Sequence, residues 1–267
     1  GELYVVDYNG GLYRLVFQPG AGGGTIPSSL AATGCVDAMN PTRPASGLIP
    51  YSVNAPFWSD GAVKDRWIAL PDGQNITVGA NGDWDFPNGT VLVKNFSLGP
   101  TLVETRLFKH HTDGSWAGYS YQWNEEGTEA VLLQDSATGS FTVTDPAAPG
   151  GAYEREHYFP SRAECTICHT EAAGHVLGVR TAQLNGPYDY GAVRDNQLRT
   201  LNHIGIFSED IAGHGVGPGA GAPADGSKLA APTASLQEVR VSQREEERRG
   251  PVELGKAGAP DVPGGER

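Results

Sequence analysis

One short run in this sequence has the residue types and spacing of a recognisable chemistry: Cys165-Thr166-Ile167-Cys168-His169. Thiols three residues apart lie about one turn from each other on a helix, and the imidazole follows directly. A Cys-x-x-Cys-His run is the attachment signature of c-type haem. The chemistry demands that spacing. Two thiols must reach the two vinyl groups on adjacent edges of one porphyrin, and an imidazole must meet the iron from the same turn. The run therefore predicts a covalent haem c anchored by Cys165 and Cys168, with His169 as an axial iron ligand. Three rival readings use the same residues. A structural zinc site needs four ligands, so the remainder would come from distant Cys35 or a remote histidine. A thioredoxin-like dithiol sits at a helix start after a βαβ strand, and no such pattern precedes Cys165. Two buried cysteines without chemistry are the third reading.

The second axial position has several candidates. A downstream Met would raise the potential, but the single Met, Met39, lies upstream. His175 is six residues past His169, and at about 100° per residue it faces elsewhere on a continuing helix. His203 and His214 are far enough downstream to fold back. His203, in a predicted helix, is the tentative distal ligand, ahead of His214 in a Gly-rich stretch. An open iron position is the third option, and each histidine also reads as an ordinary surface residue. His110-His111 closes a predicted strand. Neighbours on a strand point to opposite faces, so the pair reads as two surface residues rather than a clamp.

These residues must be held by a fold, and the composition says which kind. The chain has 267 residues, 39% of them apolar, with 37 Gly and 19 Pro. Gly and Pro at that level favour loop-rich β structure. Net charge is −12, which excludes the basic footprint that nucleic acid requires. No run is apolar enough to span a bilayer, which takes about 20 residues.

Residues 1–18 hold two β-rich runs around Asn9-Gly10-Gly11, a hairpin signal. Residues 19–50 are rich in Gly, Pro, Ser and Ala and read as a linker. Residues 51–160 read as a β domain. Its strands are expected at 63–70, 75–78, 90–96, 102–109, 116–123, 130–134 and 141–144, separated by turns such as Pro71-Asp72-Gly73 and Asp113-Gly114. Trp116 to Trp123 should set Tyr119, Tyr121 and Trp123 on one face. All five tryptophans (58, 67, 84, 116, 123) fall in this domain, as core in preference to a sugar-stacking platform. Residues 161–207 turn helical, with Ser161 and Glu164 spaced as a capping box. A later helix follows from Leu198, Leu201 and Ile204 and does not extend back to Arg194. Residues 208–267 read as a low-complexity, disordered tail. The expected fold is mainly β plus small α: an antiparallel β-sandwich-like domain, then a short helical cytochrome c-like haem segment.

Several longer stretches carry a resemblance. Asn54-Ala-Pro-Phe-Trp-Ser-Asp-Gly-Ala62, Arg66-Trp-Ile-Ala-Leu-Pro71, Trp84 to Phe96, Glu104-Thr-Arg-Leu107 and Tyr121-Gln-Trp-Asn124 resemble a bacterial family of periplasmic haem c proteins. There a β domain precedes Cys-x-x-Cys-His and a segment like Leu177-Gly-Val-Arg-Thr-Ala-Gln-Leu-Asn185 follows. The likeness covers roughly residues 45–206. Relatives often continue into a second Cys-x-x-Cys-His, which this chain lacks. The hairpin Gly1 to Leu15 resembles the closing strands of the propeller of soluble, PQQ-dependent glucose and sorbosone dehydrogenases. That second likeness implies an upstream PQQ domain; none of its quinone or calcium residues can be placed here.

The expected function is electron transfer through haem c, fed by a redox donor dehydrogenase and drained by an acceptor. The chain by itself is not expected to be an enzyme. The resemblance implies a periplasmic location, and since no leader precedes Gly1 the natural N-terminus is expected upstream. The alternative is a carbohydrate- or partner-binding β domain whose Cys motif is structural or vestigial.

Overall fold

A computed structural model describes residues 3–6, 12–15, 26–191 and 193–211, the first two as backbone only. β1 (Leu3–Val6) and β2 (Leu12–Leu15) pair antiparallel, Leu3 opposite Leu15 and Val6 opposite Leu12. The expected Asn9-Gly10-Gly11 turn lies outside the described residues. β3 (Val36–Asp37) pairs with β4 (Asn40–Pro44). β5 (Ile49–Pro50) and β6 (Val63–Ala69) follow, then the short pair β7 (Thr77–Val78) and β8 (Trp84–Asp85). β9 (Val91–Leu98), β10 (Thr101–His110), β11 (Trp116–Trp123) and β12 (Ala130–Leu132) complete the large sheet. Its order is β12-β11-β10-β9-β6-β5, antiparallel throughout. A separate ribbon joins β13 (Ala137–Thr144) to β14 (Ala152–Phe159). The rest comprises α1 (Arg162–Cys168), α2 (Thr181–Leu184), the pair β15 (Pro187–Asp189) and β16 (Arg194–Asn196), and α3 (Gln197–His203). The chain is mainly β with a small α share, as its turn spacing predicts. No helix among the described residues is long and apolar enough to cross a membrane.

Alternation gives the large sheet two unlike faces. On one, Val93, Leu107, Tyr119, Tyr121 and Trp123 build a core with Leu30, Cys35, Val36 and Leu48 from the N-terminal side. The expected shared face of Tyr119, Tyr121 and Trp123 is therefore present. The expected linker over 19–50 is not, for its described part. Residues 26–50 form a 3-10 turn, Leu30–Thr33, and three strands, and they cover this face. Their apolar residues are too scattered to show a period, yet Leu30, Cys35, Val36 and Leu48 are all buried. Full burial of one such as Leu30 contributes about 1.5–3 kcal/mol.

On the other face, Ile68 and Leu92 pack with Trp84, Phe86, Leu184, Leu198, Leu201, Ile206, Phe207 and Ile211. The 161–207 segment thus shares a core with the β strands, and that core runs on to Ile211, past the expected start of the tail at 208. Residues 212–267 lie outside the described residues. The ribbon β13–β14 caps the far end of this face, where Val143 and Phe141 join Phe96, Leu98 and Val103. β14 was not anticipated: Tyr153 to Glu156 are largely polar and only His157 and Phe159 turn inward.

Two other expectations need correction. His111 is buried, with Nε2 2.9 Å from the Tyr119 hydroxyl, and His110 is half-buried with Nδ1 2.9 Å from the Phe86 carbonyl. Both hold the strand end that a surface reading left free. Of the tryptophans, Trp84 and Trp123 are buried and Trp67 and Trp116 half-buried, but Trp58 is 73% exposed beside exposed Phe57.

Candidate functional site

The chain enters α1 through the predicted capping box. The Ser161 hydroxyl accepts from the Glu164 N–H at 3.3 Å and the Glu164 carboxylate accepts from the Ser161 N–H at 2.8 Å. The start is tied down further by Ser120, whose hydroxyl donates to the Pro160 carbonyl at 2.9 Å. Arg162 lies over the Tyr119 ring at 4.9 Å. These contacts lay the helix along β11, and they place Cys165 over Gly118. A methyl group on Gly118 would stand 2.5 Å from the Cys165 sulfur. A glycine inside a strand marks close approach of another group, which is the one sequence signal for this docking. Cys165 is half-buried, Cys168 exposed and Ile167 73% exposed.

His169 ends the helix. Its N–H still donates to the Cys165 carbonyl at 3.0 Å, while φ −84° and ψ 61° turn the chain away. The chain then folds back on it. Thr170 caps a short turn, Glu171–Ala173, and His175 sits at φ +56°, a left-handed conformation uncommon for a residue with a side chain. There the His175 carbonyl lies 2.5 Å from His169 Nδ1. A carbonyl only accepts, so Nδ1 carries the proton and Nε2 keeps its lone pair. Burial lowers the His169 pKa, the hydrogen bond to the His175 carbonyl opposes that, and the charges of Lys94 and Arg106 lower it further. These effects together lower the pKa and so favour the neutral imidazole, the form a metal ligand takes.

The His169 ring packs on Phe108 at 4.3 Å between centroids. Phe108 stacks on Trp116 at 4.9 Å, and Trp116 on His110 at 4.3 Å. Beyond these rings a cleft of about 430 Å³ is lined by Trp84, Phe86, Trp116, His110, Asp83 and His175. Along β10 the order is Arg106, Phe108, His110, all on one face.

The other expected site residues lie elsewhere. His203 is the exposed last residue of α3, whose buried side is Leu198 and Leu201. His214 is outside the described residues. Met39 is 93% exposed in the turn between β3 and β4. Cys35 packs on the opposite face of the sheet from Gly118, and burial pushes its thiol up to about 11. It does not join Cys165 and Cys168, and no group of three or more His, Cys, Asp or Glu side chains gathers around a common point among the described residues. Among the described residues the zinc reading therefore lacks its further ligands.

The dithiol reading fares no better. Burial raises the Cys165 pKa, whereas a redox dithiol lowers it at a helix N-terminus, and Cys168 stands at the C-terminal end of α1. For haem c the fit is better. Cys168 is exposed at the C-terminal end of a fixed helix, Cys165 is half-buried one turn before it, and the next residue is an imidazole whose Nδ1 is held by a carbonyl. Sequence reasoning missed that carbonyl, because a backbone acceptor has no residue type. No protein-family model, curated protein or solved structure matches the chain.

Proposed function

We propose that this chain carries one haem c, bound through Cys165 and Cys168 with His169 on the iron, and that its role is electron transfer. The observation that supports it most is the 2.5 Å contact between His169 Nδ1 and the His175 carbonyl. An orienting acceptor on the outer nitrogen fixes the tautomer and ring direction of a ligating histidine and raises its basicity. Haem supplies a one-electron couple; the chain supplies attachment, an imidazole held in one tautomer, and an aromatic wall of Phe108 and Trp116 that limits water. The resemblance of residues 45–206 to periplasmic haem c proteins supports export, and that of the first hairpin supports a PQQ-dependent sugar dehydrogenase domain as electron donor.

The test is a pyridine haemochrome spectrum of the protein exported with a cytochrome c maturation system, beside a denaturing gel stained for haem. A c-type α band and a stained band, both lost in Cys165→Ala/Cys168→Ala, are expected. A folded, exported protein without haem would overturn the proposal. The cleft favours the second reading, a carbohydrate-binding domain, because Trp84 and Trp116 line it together with Asp83 and Asp85. Sugar-dependent tryptophan fluorescence in a haem-free protein would support that reading.

A further inference from the structure

The face of the sheet beside α1 carries a row of like charges. Arg66 on β6 is opposite Lys94 on β9, and Lys94 is opposite Arg106 on β10. Neighbouring strands lie about 4.8 Å apart, so three cations stand side by side within about 10 Å. Like charges directly opposite one another are unfavourable, and this chain is acidic overall, at −12. Lys64 stands two residues before Arg66 on the same side.

Most of these cations have a task within the protein. Arg106 is bidentate to Glu104, with Nε–Oε1 2.6 Å and a second bond of 2.8 Å. Glu104 is spent on it and on His157, 2.7 Å away. Lys64 donates to the Phe57 carbonyl and the Ser59 hydroxyl. Arg66 is buried and gives one bond, to the Lys64 carbonyl at 3.0 Å. Lys94, in the middle, makes no hydrogen bond or ion pair among the described residues. Burial, then the charges of Arg66, Arg106 and Lys64, push its ammonium down to about 8. The Glu104 carboxylate opposes this only in part, being itself engaged by Arg106 and His157, and a largely buried lysine among more cations than anions is a costly arrangement that a further anion would relieve.

The row adjoins the motif. Arg106 and Phe108 are successive residues on this face, and Phe108 carries the His169 ring. Gly118, opposite Phe108, carries Cys165. A porphyrin held at this motif brings two carboxylates of its own. We propose that Arg66, Lys94 and Arg106 form the seat for those carboxylates, with Lys94 as the central contact. This assignment rests on the haem reading above and extends it to the sheet.

A positive charge beside the carboxylates favours the reduced iron. The exported, haem-loaded chain is therefore titrated spectroelectrochemically, in buffer without coordinating anions, as wild type and as Lys94→Gln. The expected result is a lower potential in the variant, with the reduced-to-oxidised ratio at fixed poise falling on the order of tenfold, equal to 59 mV for one electron. Lys94→Met, which keeps the volume, should shift the same way and provides the test if Lys94→Gln does not fold; Lys94→Arg should restore the wild-type value. Lys109→Gln removes an equal charge from the opposite face and should leave the potential in place.

Haem attached normally with the same potential in Lys94→Gln and Lys94→Met overturns the assignment and leaves the haem reading intact. A shift that appears only with added inorganic phosphate means the row takes a free anion, and also overturns it. A wild-type protein without covalent haem overturns both.

Discussion

The two faces of the large sheet are made by the same strands, yet they are built for different ends. On the face that carries Tyr121, polar atoms are paired within the protein. The Trp123 indole donates to the Thr105 hydroxyl at 3.0 Å, and that hydroxyl donates to the Asn95 side chain at 2.7 Å. The Tyr121 hydroxyl donates to the Pro27 carbonyl at 2.8 Å. Cys35 lies in this closed layer. The opposite face is apolar only toward its ends. Its middle holds three cations, a glycine where a side chain would normally stand, and the helix with the accessible cysteine. One parity of residues along β9, β10 and β11 thus stores stability, and the other leaves room for chemistry. The Cys motif is therefore no appendage: its helix lies on the sheet that the other face stabilises.

This contrast can be broken or sharpened by substitution, and the effects should descend in a definite order. Leu107→Ala on the closed face should lower unfolding free energy by about 2–5 kcal/mol, read from urea denaturation; a smaller cost would mean the closed layer is not the main core. Next comes the buried charge cluster at the far end of the open face. Burial alone would raise the Glu104 carboxyl, but hydrogen bonds from His157 and Arg106, and their charges, hold it below the usual range. A depressed carboxyl contributes stability that is present above its unfolded value of about 4.3 and lost as pH falls through the folded value. Glu104→Gln should therefore cost about 3 kcal/mol at pH 7, and the gap to wild type should be smaller at pH 3 than at pH 7. An equal gap at both pH values would assign the cost to packing.

Gly118→Ala should cost about 1–3 kcal/mol by overpacking. It should also lower haem occupancy of the exported protein, because the added methyl occupies the space of the Cys165 sulfur. Unchanged occupancy would separate docking of α1 from attachment. The smallest effect belongs to Ile167, exposed between the two cysteines. Ile167→Ser should change haem-free stability by no more than about 0.5 kcal/mol. A larger loss in thermal melts would show that this part of the open face is covered.

Much of this arrangement was legible in the residues, and the limits of that reading are physical. β11 was expected at the observed residues because Trp116 to Trp123 alternates clearly between turns. Ser161 and Glu164 announced the start of α1 because a capping box is a local device with fixed spacing. Residues 26–50 were misread because Leu30, Cys35, Val36 and Leu48 obey neither helix nor strand period, and only the sheet beneath explains their burial. The hold on His169 was hidden because it comes from a backbone carbonyl aimed by the left-handed His175. The cation row was hidden for another reason: Arg66, Lys94 and Arg106 meet only through strand register, and a slip of one residue would place them on opposite faces.

The position of α1 has a further consequence. β12 pairs with β11 only from Tyr121 to Trp123, so the outer margin of β11 before Tyr121 has no neighbouring strand among the described residues. An uncovered strand margin is a template for pairing with another chain. The motif helix lies along that margin, anchored by the Ser120–Pro160 bond and by Arg162 over Tyr119. The segment that bears the cysteines thus also covers part of a sheet edge.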